Sequence, residues 1–249
     1  SGREGLAALL VWALLVFGKF GGNPTGLARI GERFAANPHL PREQLLVLPG
    51  KRGNDGQQFL VLATDPLQLD PTTAGAVDNP IYRGKRLLYP LLAWLTGLGQ
   101  PRLITWTLGL INVACIAAAA ALVAQWAQLE QRNPRWGLAV LALPGAWITL
   151  TLSTADLLAT TLLLAAAVAW RQGQPGRLSA ALTAAVLTRE TALLAWASTA
   201  LSTLVERRWR WLVPLALVPA PLLLLTASLQ ARFAATSDGM LASLHFGPP

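Results

Sequence analysis

The sequence predicts an all-α polytopic membrane protein, and three observations lead there. Of its 249 residues 53% are hydrophobic and 13% charged, with a mean hydropathy of +0.45, too apolar for an ordinary soluble domain. Apolar runs long enough to form membrane helices recur along the chain. The basic residues, which give a net charge of +8, gather in short turns between those runs. There, positive charge sets orientation in a bilayer rather than binding nucleic acid. The single cysteine, Cys115, lies within an apolar run, which excludes an intramolecular disulfide and a cysteine-based metal site. His39 and His245 stand far apart, so a histidine metal site is not expected.

Taken in order, the chain opens with the run GLAALLVWALLVF, and residues 6–22 form the first predicted membrane helix. Residues 23–101 differ in kind, being rich in Gly, Pro and charge, and are predicted to form a long extramembrane loop carrying short amphipathic helices. Residues 25–36 set Leu27, Ile30 and Phe34 against Arg29, Glu32 and Arg33, the pattern of a short helix lying in the interface or packing on the rest of the loop. Residues 87–98 (LLYPLLAWLTGL) are apolar but too short to span, and read as an interfacial or half-buried helix. Membrane helices then resume through 103–229, over 103–129, 136–152, 157–170, 178–204 and 211–229. Residues 230–249 follow as a tail. The start at Ser1 and the end at Gly247-Pro248-Pro249 suit a fragment or a truncated gene product.

The basic turns at 132–135, 171–177 and 207–210 define the topology. If all three face the cytoplasm, the loop 23–101 and the STAD turn holding Asp156 lie outside. The segment 178–204 must then go in and come back, as a broken helix near Arg189-Glu190. Irregular backbone at that depth is tolerated only where protein or a wet cavity surrounds it. A single straight span, leaving one basic turn outside, is the competing arrangement.

Three polar stretches could carry chemistry. In Gly53-Asn54-Asp55-Gly56-Gln57 an acid sits between glycines, which is also ordinary turn chemistry. In Tyr82-Arg83-Gly84-Lys85-Arg86 three cations precede an apolar helix; they suit a lipid phosphate or, more simply, attract anionic headgroups. Asp156 and Glu190 are the acidic residues of 103–229 away from the cytoplasmic turns. Intramembrane ionisable groups point to function, or else Arg189 pairs with Glu190 or Asp156 as a bridge between helices. The topology brings both acids toward Asp55.

The runs GNDGQQF, DNPIYRGKRLLYPLLAWL, STADLLATTLLLA and LTRETALL, in that order over about residues 50–200, resemble the motif series of bacterial integral-membrane glycosyltransferases of the GT-C fold. The nearest group is that with a YDGQFY-like loop, loosely related to the polyprenyl-phosphate-dependent mannosyltransferases. The resemblance implies a GT-C-like helical bundle in the bacterial inner membrane, serving the cell envelope. Its active site would face the extracytoplasmic side and move a sugar from a polyprenyl phosphate carrier to a glycan or lipid acceptor. Carried over, Asp55 is the general base, and Arg83, Lys85, Arg86 and Arg189 are the donor-phosphate cations. Asn54, Gln57, Tyr82, Tyr89, Asp156 and Glu190 line the cavity. Asn54 and Gln58 depart from the pattern, standing where the family loop has aromatics to stack an acceptor. No cofactor is implied with certainty; Asp55, Asp156 and Glu190 could hold a divalent ion. Two other functions fit the same features: a transporter or flippase of lipid-linked sugars, and a non-catalytic, truncated membrane partner.

Overall fold

The computed structural model describes residues 2–32 and 38–243, with side chains through Phe233. The chain is about 75% helical with almost no strand. Proline opens many of the elements: Pro24, Pro71, Pro80, Pro101, Pro134, Pro144 and Pro175 each stand in a first turn. There the missing N–H costs nothing and the fixed φ is already helical.

Helix α1 (Gly2–Ala13) runs into a π-helical turn, Leu14–Lys19. It lies against α6 (Pro101–Leu129), where Trp12 and Phe17 meet Trp106 at centroid distances of 5.9 and 6.0 Å. The segment between them begins with a 3-10 turn, Pro24–Ala28, and a two-residue strand, Ile30–Gly31, which pairs in parallel with Val47–Leu48. The interfacial helix expected over 25–36 is therefore not formed in its described part, residues 25–32; residues 33–36 lie outside the description. Arg29 adopts left-handed angles (φ 50°, ψ 55°) that end the turn, and Leu27 and Ile30 are buried in the protein core.

Helix α2 (Asp55–Thr64) is followed by the short helices α3 (Pro71–Gly75) and α4 (Pro80–Gly84). The apolar helix α5 (Leu88–Thr96) packs against both α2 and α6. At 29 residues, α6 is about 43 Å long at 1.5 Å per residue, enough to cross a bilayer. The run over 136–152, expected to be continuous, is instead a 3-10 segment (Pro134–Ala142) and helix α7 (Pro144–Leu152), bent by 59°. Pro144 cannot donate to the preceding turn, and Leu143 before it is extended (ψ 112°).

Helix α8 (Asp156–Arg171) and α9 (Pro175–Thr188) form an antiparallel pair. The chain breaks at Arg189, which is extended (φ −148°, ψ 126°), then passes through a 3-10 turn, Glu190–Ala192, into α10 (Leu193–Val205). Helices α11 (Trp209–Ala216) and α12 (Ala220–Ser243) complete the description. Among the described residues two stretches are long and apolar enough to cross a membrane, Pro101–Leu129 and Trp209–Phe233, or three if the bent pair acts as one span. Helix α8 has 16 residues and α9 has 14, below the roughly 20 that a span needs.

Beside a small cluster that joins Val61 and Leu62 of α2 to Val77, two large apolar clusters hold the fold. One, around Phe59, Tyr89, Leu108, Ile116 and Leu150, joins α1, α2, α5, α6 and α7; the other, around Leu178, Leu182, Val186 and Leu215, joins α8, α9 and α11. Helix α8 contributes to both, through Leu157 and Leu158 at its beginning and Ala166 and Ala169 near its end.

Candidate active site

The sequence Gly-Asn-Asp-Gly-Gln is built to start a helix in a crowded place. Gly53 has φ +80°, a conformation a side chain resists. Its neighbour Asn54 is extended, and Asp55 is the first residue of α2, where a carboxylate suits the helix dipole. Gly56 lets α2 press against two other elements: a Cβ there would stand 2.1 Å from the Leu152 carbonyl oxygen and 2.9 Å from that of Ala28. Gln57 braces the loop, accepting the Gly31 N–H at 2.8 Å and donating to the Arg52 carbonyl at 3.1 Å.

Around Asp55 the chain assembles charges from three other segments. Arg83, from α4, meets Asp55 Oδ1 at 3.0 Å through Nη1. Its other two nitrogens clamp Asp78, Nε to Oδ1 at 2.8 Å and Nη2 to Oδ2 at 2.7 Å. Arg86 grips Glu190 with Nε and Nη2 at 3.3 and 3.2 Å, and reaches Asp55 Oδ2 at 3.5 Å with Nη1. It also donates to the Tyr82 hydroxyl and lies over that ring at 4.5 Å. Arg189, freed by the break after α9, binds Asp156 Oδ1 at 2.7 Å and stands 4.0 Å from Asp55 Oδ2. Thr154 donates to the other oxygen of Asp156 at 2.9 Å.

Burial divides this network. The Arg83 and Arg86 side chains are 10% and 6% exposed, whereas Asp55 is 39% exposed. The cations are thus the fixed part and the carboxylate the accessible one. Burial works to raise the Asp78 carboxyl, but the Arg83 guanidinium outweighs it and holds Asp78 below the ordinary aspartate range. The same hydrogen-bonded pairing, helped by Asp55, raises Arg83 above an ordinary arginine against the opposing effect of burial.

A cavity of about 700 Å³ opens beside Asp55. Polar residues line it, among them Arg52, Asn54, Asp55, Gln57, Asp78, Arg83 and Asp156, together with Gly145, Ile148, Thr149 and Leu152 of α7. Of the residues expected at the cavity, Asn54, Asp55, Gln57, Arg83 and Asp156 line it. Arg86, Arg189 and Glu190 stand behind Asp55 as supports, and Tyr82 lies outside the lining, exposed, against Arg86. Lys85, half-buried at the end of α4, forms no ion pair among the described residues and does not reach the cavity lining.

Tyr89 is not a cavity residue. Helix α5 turns it inward between α2 and α6, where it is fully buried, edge-on to Phe59 at 5.3 Å. Its hydroxyl donates to the Leu108 carbonyl at 2.8 Å and accepts from Asn112 Nδ2 at 3.1 Å. Asn112, a fully buried polar residue of α6, also reaches the carbonyls of Thr149 and Thr154 at 3.4 and 3.2 Å. It thereby pins the turn that presents Asp156.

The bridge between Arg189 and Asp156 that the sequence left open is present. Asp55, Asp156 and Glu190, the three acids considered for a divalent ion, are each matched to arginine. Among the described residues no group of three or more Asp, Glu, His or Cys stands at metal-binding spacing. Asp78, Thr154, Asn112 and Arg52 are the site residues that sequence reasoning missed. Asp78 had a signal: Asp-Asn-Pro before Tyr-Arg marks a helix start, and an acid there lies within reach of an arginine five residues on.

No family model, curated protein or solved structure matches the chain.

Proposed function

We propose that this protein is a membrane glycosyltransferase that moves a sugar from a polyprenyl phosphate carrier to a glycan or lipid acceptor on the extracytoplasmic face, with Asp55 as general base. The observation that carries this reading is the gathering of three other segments, far apart in sequence, around one accessible carboxylate beside a cavity. Asp55 Oδ1 is taken by Arg83 at 3.0 Å, while Oδ2 has only longer contacts, at 3.5 and 4.0 Å. Oδ2 therefore keeps the capacity to accept a proton from an acceptor hydroxyl.

The surroundings suit the reaction. Buried guanidinium groups hold the base at fixed geometry, and positive charge at the cavity stabilises the negative charge that grows on a departing phosphate, most strongly where water is excluded. A lining that combines charged residues with Gly145, Ile148 and Leu152 of α7 matches a donor that is itself half lipid. The ordered motifs that resemble the GT-C enzymes are the ones that meet here: Asp55, Arg83 with Arg86, Asp156, and Arg189 with Glu190.

Membranes containing the wild type or Asp55→Asn, supplied with a panel of radiolabelled polyprenyl phosphate sugars, test the reading. Transfer should fall by about 10²–10⁴ in the variant, with an unchanged elution volume in detergent showing that it still folds. Undiminished transfer by Asp55→Asn would remove this residue from the mechanism.

A further inference from the structure

The arginines expected to hold a phosphate are already engaged by carboxylates. All three nitrogens of Arg83 meet carboxylate oxygens, of Asp78 and Asp55. All three of Arg86 meet Glu190, Tyr82 or Asp55. Arg189 spends one Nη on Asp156 at 2.7 Å and holds the other 4.0 Å from Asp55. For any of these to take a phosphate, a carboxylate pair must first be broken inside a partly buried network, which is costly. One guanidinium in the cavity lining faces no such cost: Arg52 lines the cavity and forms no ion pair or side-chain hydrogen bond among the described residues.

The backbone holds Arg52 in place from both sides. Its carbonyl accepts from Gln57 at 3.1 Å, and the Lys51 carbonyl accepts the Glu32 N–H at 3.0 Å. Gly31 packs so tightly here that a Cβ on it would lie 2.2 Å from the Arg52 carbonyl carbon. The fork itself is exposed and uncommitted, suited to bidentate contact with a phosphate. In the same cavity lining, Gly145, Ile148 and Leu152 fall at i, i+3 and i+7 on α7, one face of a helix. Ile148 is 56% exposed, and a Cβ on Gly145 would meet nothing within 4 Å.

We infer that the cavity binds an amphiphilic phosphate ester, its phosphate on Arg52 and its hydrocarbon chain along the Gly145–Ile148–Leu152 face of α7. Arg83 is then a positioning residue for Asp55 rather than the phosphate ligand. This rests on the lipid-phosphate donor proposed above and names the residues that hold it.

Calorimetric titration of the protein in phosphatidylcholine nanodiscs with farnesyl phosphate, farnesol and inorganic phosphate provides the test. Farnesyl phosphate should bind at least tenfold more tightly than either of the others. Arg52→Gln should erase the preference over farnesol, with Arg52→Lys recovering part of it and neither changing the melting temperature. Gly145→Leu, which fills open space, should weaken farnesyl phosphate and farnesol alike. Equal affinity of wild type and Arg52→Gln for farnesyl phosphate overturns the assignment and returns the phosphate to Arg83, even if sugar transfer is intact. Arg52-dependent binding of inorganic phosphate as tight as that of farnesyl phosphate overturns the apolar half. Binding as described, with no sugar transferred from any donor, leaves this site standing and removes the transferase.

Discussion

The two ends of helix α8 use the same materials to opposite effect. At its first residue Asp156 joins a network in which arginines, carboxylates and a tyrosine come from segments as far apart in sequence as Asp55 and Arg189. At its last residue, Arg171 pairs with Glu130 at 2.7 Å, and next to it Arg208 lies over Trp170 and Trp211 at 5.0 and 4.9 Å. The second arrangement is as well made, distance for distance, as the first. What separates them is how far water reaches the cations: Arg171 is 46% exposed, whereas Arg83 and Arg86 are 10% and 6% exposed, the carboxylates at the two ends being similarly accessible. An exposed pair is screened and contributes little, whereas a buried charge left without its partner is strongly destabilising. Clusters at the two ends therefore differ in what they can be for. The exposed one suits an anchor at the membrane surface, with tryptophan and arginine at headgroup level; the buried one holds the Asp55 carboxylate at fixed geometry.

Substitution of Arg86 should separate the ends most sharply. Arg86→Gln leaves Glu190 without its bidentate partner and removes one contact from Asp55. The expected cost is on the order of 3–5 kcal/mol, read as a large drop in melting temperature in detergent. A drop no greater than that of an exposed pair would mean that water reaches the network and that the two ends are alike.

A smaller effect is expected from Asn112→Leu, which tests how the buried end is held. The Asn112 amide donates to Tyr89 and to the Thr149 and Thr154 carbonyls, tying α5 and α6 to the turn before Asp156. Loss of these bonds should cost about 1–2 kcal/mol, since some partners find other donors. It should also weaken the Asp156–Arg189 contact without touching Arg171. A double mutant with Asp156→Asn should be less than additive; strict additivity would show that Asn112 does not act through that turn.

How much of this was legible follows the same division. Long apolar runs announce α6, and the opposed charges of 178–204 announce a break, because a chain cannot bury Arg189 and Glu190 in lipid unpaired. Asp55, Asp156 and Glu190 were expected on one side of the protein, and the arginines of YRGKR and TRE join them there. The inward turn of Tyr89 was not legible, since a helix surrounded on two sides buries residues that periodicity alone assigns to neither. Nor was the left-handed Arg29, which replaced an amphipathic helix with a turn and carries no glycine to mark it. The bend before α7 had its marker in Pro144, overridden in reading by the apolar run on both sides. Arg52 escaped notice for a different reason: beside a cluster of paired cations, the one that matters most for a ligand is the one without a partner, and pairing is a property of the fold.

The smallest effect belongs to the exposed end. Glu130→Gln removes the Arg171 pair, yet solvent takes over both partners, so the stability read from thermal unfolding should change by less than about 1 kcal/mol. That small difference should shrink further between 0.01 and 0.5 M salt, because the screening length falls from about 30 Å to a few ångströms. The Arg86→Gln loss should be nearly independent of salt, its charges being shielded from ions by the protein itself. A salt-independent effect at Glu130 would place that pair in a drier setting than its exposure indicates. The tryptophan–arginine stack beside it would then belong inside the headgroup layer rather than at its edge.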